Sequence, residues 1–279
     1  MSASQILLNS SHYDATTNSF KYRFPYQQTF NKNSKIALTS CNFYNSFFNI
    51  SSALGNNQIK IDFPSGASWL SFSYTVPDGF YSTSGMNYLL QKMAIDNKLF
   101  TITSTGKYVY YWNLVISETE YKNAITFYSV PTDAVPISGA TWTAPTTLQR
   151  QAKIYWGKVA PLYGWISDST LTNYIGGGVQ DSQIVTSAIV AQVNPFNTVI
   201  LTCSLVRALG LSNPSNFLFS QPLDKSFGSM ITSPNIEPLY NSIIPGTHSE
   251  MEIILYNNTL QPLFLLDTNI SIMLSIIKH

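Results

Sequence analysis

Residues 69–97 change their period once, and that change restricts the fold more than any other stretch of the chain. From Trp69 to Val76 the side chains alternate, with Leu70, Phe72, Tyr74 and Val76 on one face and Trp69, Ser71, Ser73 and Thr75 on the other. That is the period of a strand laid over a core. Pro77-Asp78-Gly79 then ends the strand, because proline fixes φ and lacks an N–H, aspartate bonds its own backbone and glycine accepts positive φ. Beyond the turn, Met86, Leu89, Leu90 and Met93 stand at i, i+3, i+4 and i+7, behind Ser82, Thr83 and Ser84 as candidate N-caps; this is a helix signature. No other segment shows so clear an amphipathic helix. The expectation is a β-rich protein with one short helix placed directly after a strand and a tight turn.

Strand patterns surround this stretch. They run at Phe20–Phe24, which ends at Pro25, and at 35–44, 58–63 and 69–76, with turns at Asn31-Lys32-Asn33, Gly55-Asn56-Asn57 and Pro64-Ser65-Gly66. After the helix come short runs at 99–103, 107–111, 114–117 and 124–129. Residues 130–182 then read as loop, with Pro131, Pro136, Pro145, Pro161 and Gly176-Gly177-Gly178, interrupted at 153–156. Strand patterns return at 184–193, 199–206, 228–232, 250–256 and 269–277. About nine strong strands outside 99–182 fit a two-sheet antiparallel sandwich, and a jelly roll has eight. The sequence therefore predicts an all-β chain, a single jelly-roll β-sandwich with one short helix and a β-rich, loop-rich insertion. The boundaries it suggests are an N-terminal arm at 1–18, a jelly roll at 19–98 plus 183–279, and an inserted domain at 99–182.

Composition narrows the function. Among 279 residues, Asp, Glu, Lys and Arg make up 10%, with a net charge of +1, against about 25% charged residues in an average soluble protein. No Lys/Arg cluster is present, which argues against a specific nucleic-acid partner. No apolar run reaches the ~20 residues of a membrane span, and the first residues lack the basic and apolar regions of a signal peptide. Cys41 and Cys203 are too few for a disulfide framework and have no metal-ligand spacing, so two buried free thiols are expected. A nearly neutral surface rich in Asn, Ser, Thr and Tyr suits a protein whose neighbours cover much of it.

Catalytic, cofactor-binding and metal sites are not expected. His248, Ser249 and Glu250 are consecutive, and neighbours in an extended segment point to opposite faces, which defeats a triad. Glu118 and Glu120 share a strand face and imitate a glycosidase pair, but read more simply as a solvated edge. Asp78 and Asp96 are a turn and a helix-end aspartate that need no calcium. Trp112, Trp142, Trp156 and Trp165 lie in the predicted insertion. They either give a small, loop-rich unit its core or form an aromatic surface for a glycan or a receptor.

The order of several short motifs resembles a known family. Lys35-Ile36-Ala37-Leu38, Tyr44-Asn45-Ser46-Phe47-Phe48-Asn49-Ile50 and Val76-Pro77-Asp78-Gly79-Phe80-Tyr81 lead into Leu89-Leu90-Gln91. Near the end, 199–205, Gly210-Leu211-Ser212, Pro262-Leu263 and Leu265-Leu266-Asp267-Thr268-Asn269-Ile270-Ser271-Ile272 follow in turn. This is similar to the penton proteins, the minor capsid proteins at the vertices of virophages and polinton-like viruses, over the first hundred and last ninety residues. The resemblance implies a virion protein without enzymatic activity: a homopentamer capping the fivefold vertices of an icosahedral capsid built from a double-jelly-roll major capsid protein. It also implies an insertion that points outward, where contact with a host receptor or glycan occurs. A free jelly-roll module that binds carbohydrate or a receptor is the alternative.

Overall fold

A computed structural model describes residues 2–14, 16–117, 119–168, 170–177, 181–194, 197–207, 214–233, 237–263 and 266–278. The chain divides into two compact units, Met1–Phe48 with Phe196–His279, and Asn49–Pro195.

The first unit is made of antiparallel strands. Before the chain leaves it come β1 (Ser2–Leu8), β2 (Tyr13–Asp14), β3 (Ser19–Phe30) and β4 (Lys35–Tyr44). After the return come β14 (Thr198–Cys203), β15 (Phe217–Pro222), β16 (Met230–Thr232), β17 (Asn241–Ser242), β18 (Gly246–Tyr256) and β19 (Ser271–Lys278). One sheet runs β1-β19-β4-β16, with β17 also on β4, and the other runs β15-β14-β18-β3-β2. Leaving aside the two-residue β2 and β17, eight strands pair in a nested way. The first joins the last (β1·β19), the second the seventh (β3·β18), the third the sixth (β4·β16) and the fourth the fifth (β14·β15). A ribbon folded back on itself and wrapped round a core pairs in this order, and the unit is a jelly roll. Its two sheets share one apolar core, in which Ile6, Leu8, Ile36, Phe43, Ile272 and Leu274 of one meet Phe20, Leu201, Leu218, Met251 and Ile253 of the other. Cys41 and Cys203 are both buried free thiols. Burial pushes the Cys41 thiol up to about 12 and that of Cys203 to about 11, since a thiolate loses its hydration there.

The second unit has two sheets, a hairpin and the helix. β5 (Gln58–Ser65), β6 (Ser68–Thr75), β11 (Lys153–Tyr155) and β12 (Ile175–Gly176) form a sheet of order β12-β11-β5-β6. β9 (Trp112–Ser117), β10 (Lys122–Phe127) and β13 (Gln183–Thr186) form a sheet of order β13-β10-β9, and β7 (Phe100–Ile102) pairs with β8 (Tyr108–Tyr110). Helix α1 (Thr83–Asp96) starts as expected: Ser82 is its N-cap, its hydroxyl accepting from Gly85 N–H. Met86, Leu89, Leu90 and Met93 are buried against Val76, Trp112 and Phe127 among others. Among the described residues no helix is long and apolar enough to cross a membrane.

These units depart from the boundaries expected from sequence. The strands at 58–63 and 69–76 and the helix belong with the insertion rather than the jelly roll, because Ile59, Ile61, Phe63, Leu90 and Met93 share a core with Trp112, Trp142 and Ile154. Residues 1–18 are not simply an arm. Ser2–Leu8 is the first jelly-roll strand, with Ile6 and Leu8 in the core. The roll's fifth strand, Phe217–Pro222, carries no clear alternation and was not expected. The strand predicted to stop at Pro25 continues to Phe30. Its partner β18 shifts register between His248 and Glu250, moving from Gln28 to Arg23, so the residues around Pro25 leave the ladder, where a missing N–H costs nothing.

Candidate binding cleft

None of the four tryptophans is an exposed platform. Trp112, Trp142, Trp156 and Trp165 are 0%, 1%, 3% and 7% exposed. Trp112 and Trp142 pack against Phe63, at centroid separations of 6.3 and 5.2 Å, and the Trp142 indole N–H donates to Lys98 O at 2.7 Å. These two rings are core, which corrects the surface reading for them. A unit with short strands and many loops obtains its buried area from large rings.

Trp156 and Trp165 are placed differently. They flank a 3-10 helix, Gly157–Tyr163, and their rings stack at 4.9 Å with planes 22° apart. The loop closes on itself through Trp165 N–H to Ala160 O at 3.0 Å and Asp168 N–H to Gly157 O at 3.1 Å. Two glycines make this closure possible. Gly157 has φ +56 and a Cβ there would stand 2.8 Å from Leu171 Cδ2, while Gly164, at φ +82, lies against Ile189 O and Ser187. Neither position accepts a side chain in that left-handed conformation without strain.

A cleft of about 410 Å³ opens beside the stacked pair. Trp156, Trp165, Ile166, Tyr174 and Ile175 supply its apolar wall, and Asp168, Asn173, Thr186 and Ala188 complete it. Asp168 builds the wall. Its carboxylate accepts from Thr170 N–H at 2.9 Å, Thr170 Oγ1 at 2.6 Å, Thr172 N–H at 2.6 Å and Asn173 N–H. These bonds, the Asn173 amide foremost, hold its carboxyl well below the usual carboxylate range. Next to Tyr174, the Lys153 ammonium lies 4.5 Å from the centre of that ring and 4.1 Å from the centre of Trp69. It is thereby engaged by two aromatic faces. The indole N–H groups of Trp156 and Trp165 are buried and have no hydrogen-bond partner. Sequence reasoning singled out the two tryptophans but not Ile166, Asn173, Tyr174 or Thr186. The readable signal was Asp168 followed by hydroxyl residues, an Asx-type turn.

A second constellation ties together the incoming and outgoing segments of this unit. Asn49 is buried; its Oδ1 accepts from Tyr81 N–H at 2.9 Å, and its Nδ2 donates to Tyr81 O at 3.0 Å and to Val193 O at 2.9 Å. Asp78, in the Pro-Asp-Gly turn, accepts from Ser52 N–H at 2.7 Å and Ser52 Oγ at 2.9 Å, and Ile50 bridges Gly79. The motif residues Asn49 and Asp78 are thus structural clasps. Asp96 instead pairs with Lys92 at 2.6 Å along the helix.

The other candidates are scattered. His248 contacts Ile244 O through Nε2 at 3.0 Å, and Glu250 lies 3.7 Å from Arg23. Glu120 is exposed; Glu118, His279, Gly178, Gly210-Leu211-Ser212 and Leu265 lie outside the described residues. Among the described residues no group of three His, Cys, Asp or Glu is gathered as a metal site would require.

The strand order makes this an all-β protein of jelly-roll type carrying a large insertion between its third and fourth strands. No family model matches the chain, and no curated protein matches it. Among solved structures it is similar to the selenomethionine-labelled mavirus penton protein, with a TM-score of 0.43 and 9% identity over 98% of this chain and 97% of that one. It is similar also to a chain of the Sputnik virophage determined by cryo-EM, again with a TM-score of 0.43 and 9% identity, over 99% and 97%. The jelly-roll assignment rests on the strand order itself.

Proposed function

We propose that this chain is a structural virion protein without enzymatic activity, a penton of which five copies close around the fivefold vertices of an icosahedral capsid. The observation that carries this reading is the nested eight-strand roll, whose strands hold some of the ordered motifs of the resemblance, Lys35–Leu38 and 199–203 among them. A ring of this kind uses head-to-tail interfaces that close by rotation. Such obligate interfaces bury on the order of 2,000 Å² or more and tolerate few charges at their centre. The jelly-roll unit exposes Tyr26, Leu239, Leu266, Met230 and Leu7, and only 10% of the chain is charged. Association would therefore cover apolar groups and desolvate few ions. The surrounding partner is a double-jelly-roll major capsid protein, and the site of action is the capsid vertex.

Light scattering after size exclusion, across a concentration series, tests this. The expected mass is five times the 31.1 kDa protomer, either for the protein alone or after co-expression with the major capsid protein. A monomer under both conditions would overturn the reading.

A further inference from the structure

We propose that the cleft beside Trp156 and Trp165 is a binding site for neutral saccharides, taking one pyranose ring against its aromatic wall. Its volume of about 410 Å³ lies within the range of small-molecule sites, about 300–1,000 Å³. Its lining divides as a sugar divides. Trp165, Ile166, Tyr174 and Ile175 present carbon to the apolar C–H face of a pyranose, and Asn173 and Thr186 supply an amide and a hydroxyl for its rim of hydroxyls.

The charge of the lining selects the ligand. The lining residues include one carboxylate, Asp168, and no Lys, Arg or His. Asp168 is saturated by the N–H and O–H groups of its own loop, and Lys153 is held between Trp69 and Tyr174. A nucleotide or an acidic sugar would bring a negative charge that no lining residue is placed to meet, and a cationic ligand would find the one carboxylate already satisfied. A neutral polyol with one apolar face is the class that remains.

The test uses the full-length protein and the methyl glycosides of glucose, galactose, mannose and N-acetylglucosamine, with sialic acid as an anionic comparison. Saturation-transfer NMR reports contact, and indole fluorescence reports the stacked pair. At least one neutral glycoside should give a saturable response. Ala188→Trp fills the cleft from an exposed position without removing a core residue and should weaken that response tenfold or more; Thr186→Phe serves the same purpose if the first variant does not fold. No response to any neutral glycoside, a response to sialic acid alone, or undiminished binding in the folded variants would each overturn the proposal. The inference does not depend on the vertex reading, and the particle mass by light scattering separates failure of one from failure of the other.

Discussion

Asn49 shows how a single buried amide serves a whole unit. Its three hydrogen bonds reach Tyr81 N–H, Tyr81 O and Val193 O; Tyr81 O also accepts from the Tyr163 hydroxyl at 2.9 Å, so Asn49→Ala leaves Tyr81 N–H and Val193 O without their partner. The expected cost is about 2–3 kcal/mol, read as a lower urea midpoint with unchanged m. Asp62 offers a pH test. It accepts from Ser71 at 2.6 Å and Tyr155 at 2.7 Å, with Lys60 at 3.3 Å. Burial alone would raise its pKa, but these bonds and the Lys60 charge outweigh burial and hold it below its ordinary 3.8. A carboxylate depressed in the folded state contributes stability that is complete above the ordinary value and is lost as pH falls through the folded value. The stability gap between wild type and Asp62→Asn should therefore be constant near neutrality and narrow only below about pH 4. A gap that stayed constant into strong acid would show that the carboxylate is not held in this way.

At the scale of elements, β1 makes the most exposed prediction. It pairs along its whole length with β19, from Ser2 with Lys278 to Leu8 with Ile272, and buries Ile6 and Leu8. Removing residues 2–8 should cost at least about 3 kcal/mol from the two aliphatic side chains alone. It also bares the edge of a central strand, so thermal scans should show a lower Tm and aggregation. Helix α1 was legible because its period, its cap Ser82 and its preceding turn all lie within residues 77–93. β15 was not, because Phe217, Leu218 and Phe219 are consecutive apolar residues with no alternation. The bounds at 1–18 failed for a similar reason: four residues of pattern at Gln5–Leu8 do not reveal a partner more than 250 residues away.

At the scale of the molecule, all five tryptophans, Trp69, Trp112, Trp142, Trp156 and Trp165, fall within residues 49–195. Tryptophan emission therefore reports one unit and is silent on the jelly roll. A protein of residues 49–195 alone should unfold cooperatively, with blue-shifted emission that moves red in the transition, because its core is made of its own residues. Emission of a solvated indole throughout would show that this unit depends on the rest of the chain. The sequence by itself determined the local features: alternation over a core, the Pro-Asp-Gly stop, the capped helix and the scarcity of charge. Only the tertiary structure decided which strands pair, where the insertion begins and which tryptophans are core or line a cleft. Period and turn chemistry act over a few residues, whereas pairing and burial are settled by contacts between segments far apart in the chain.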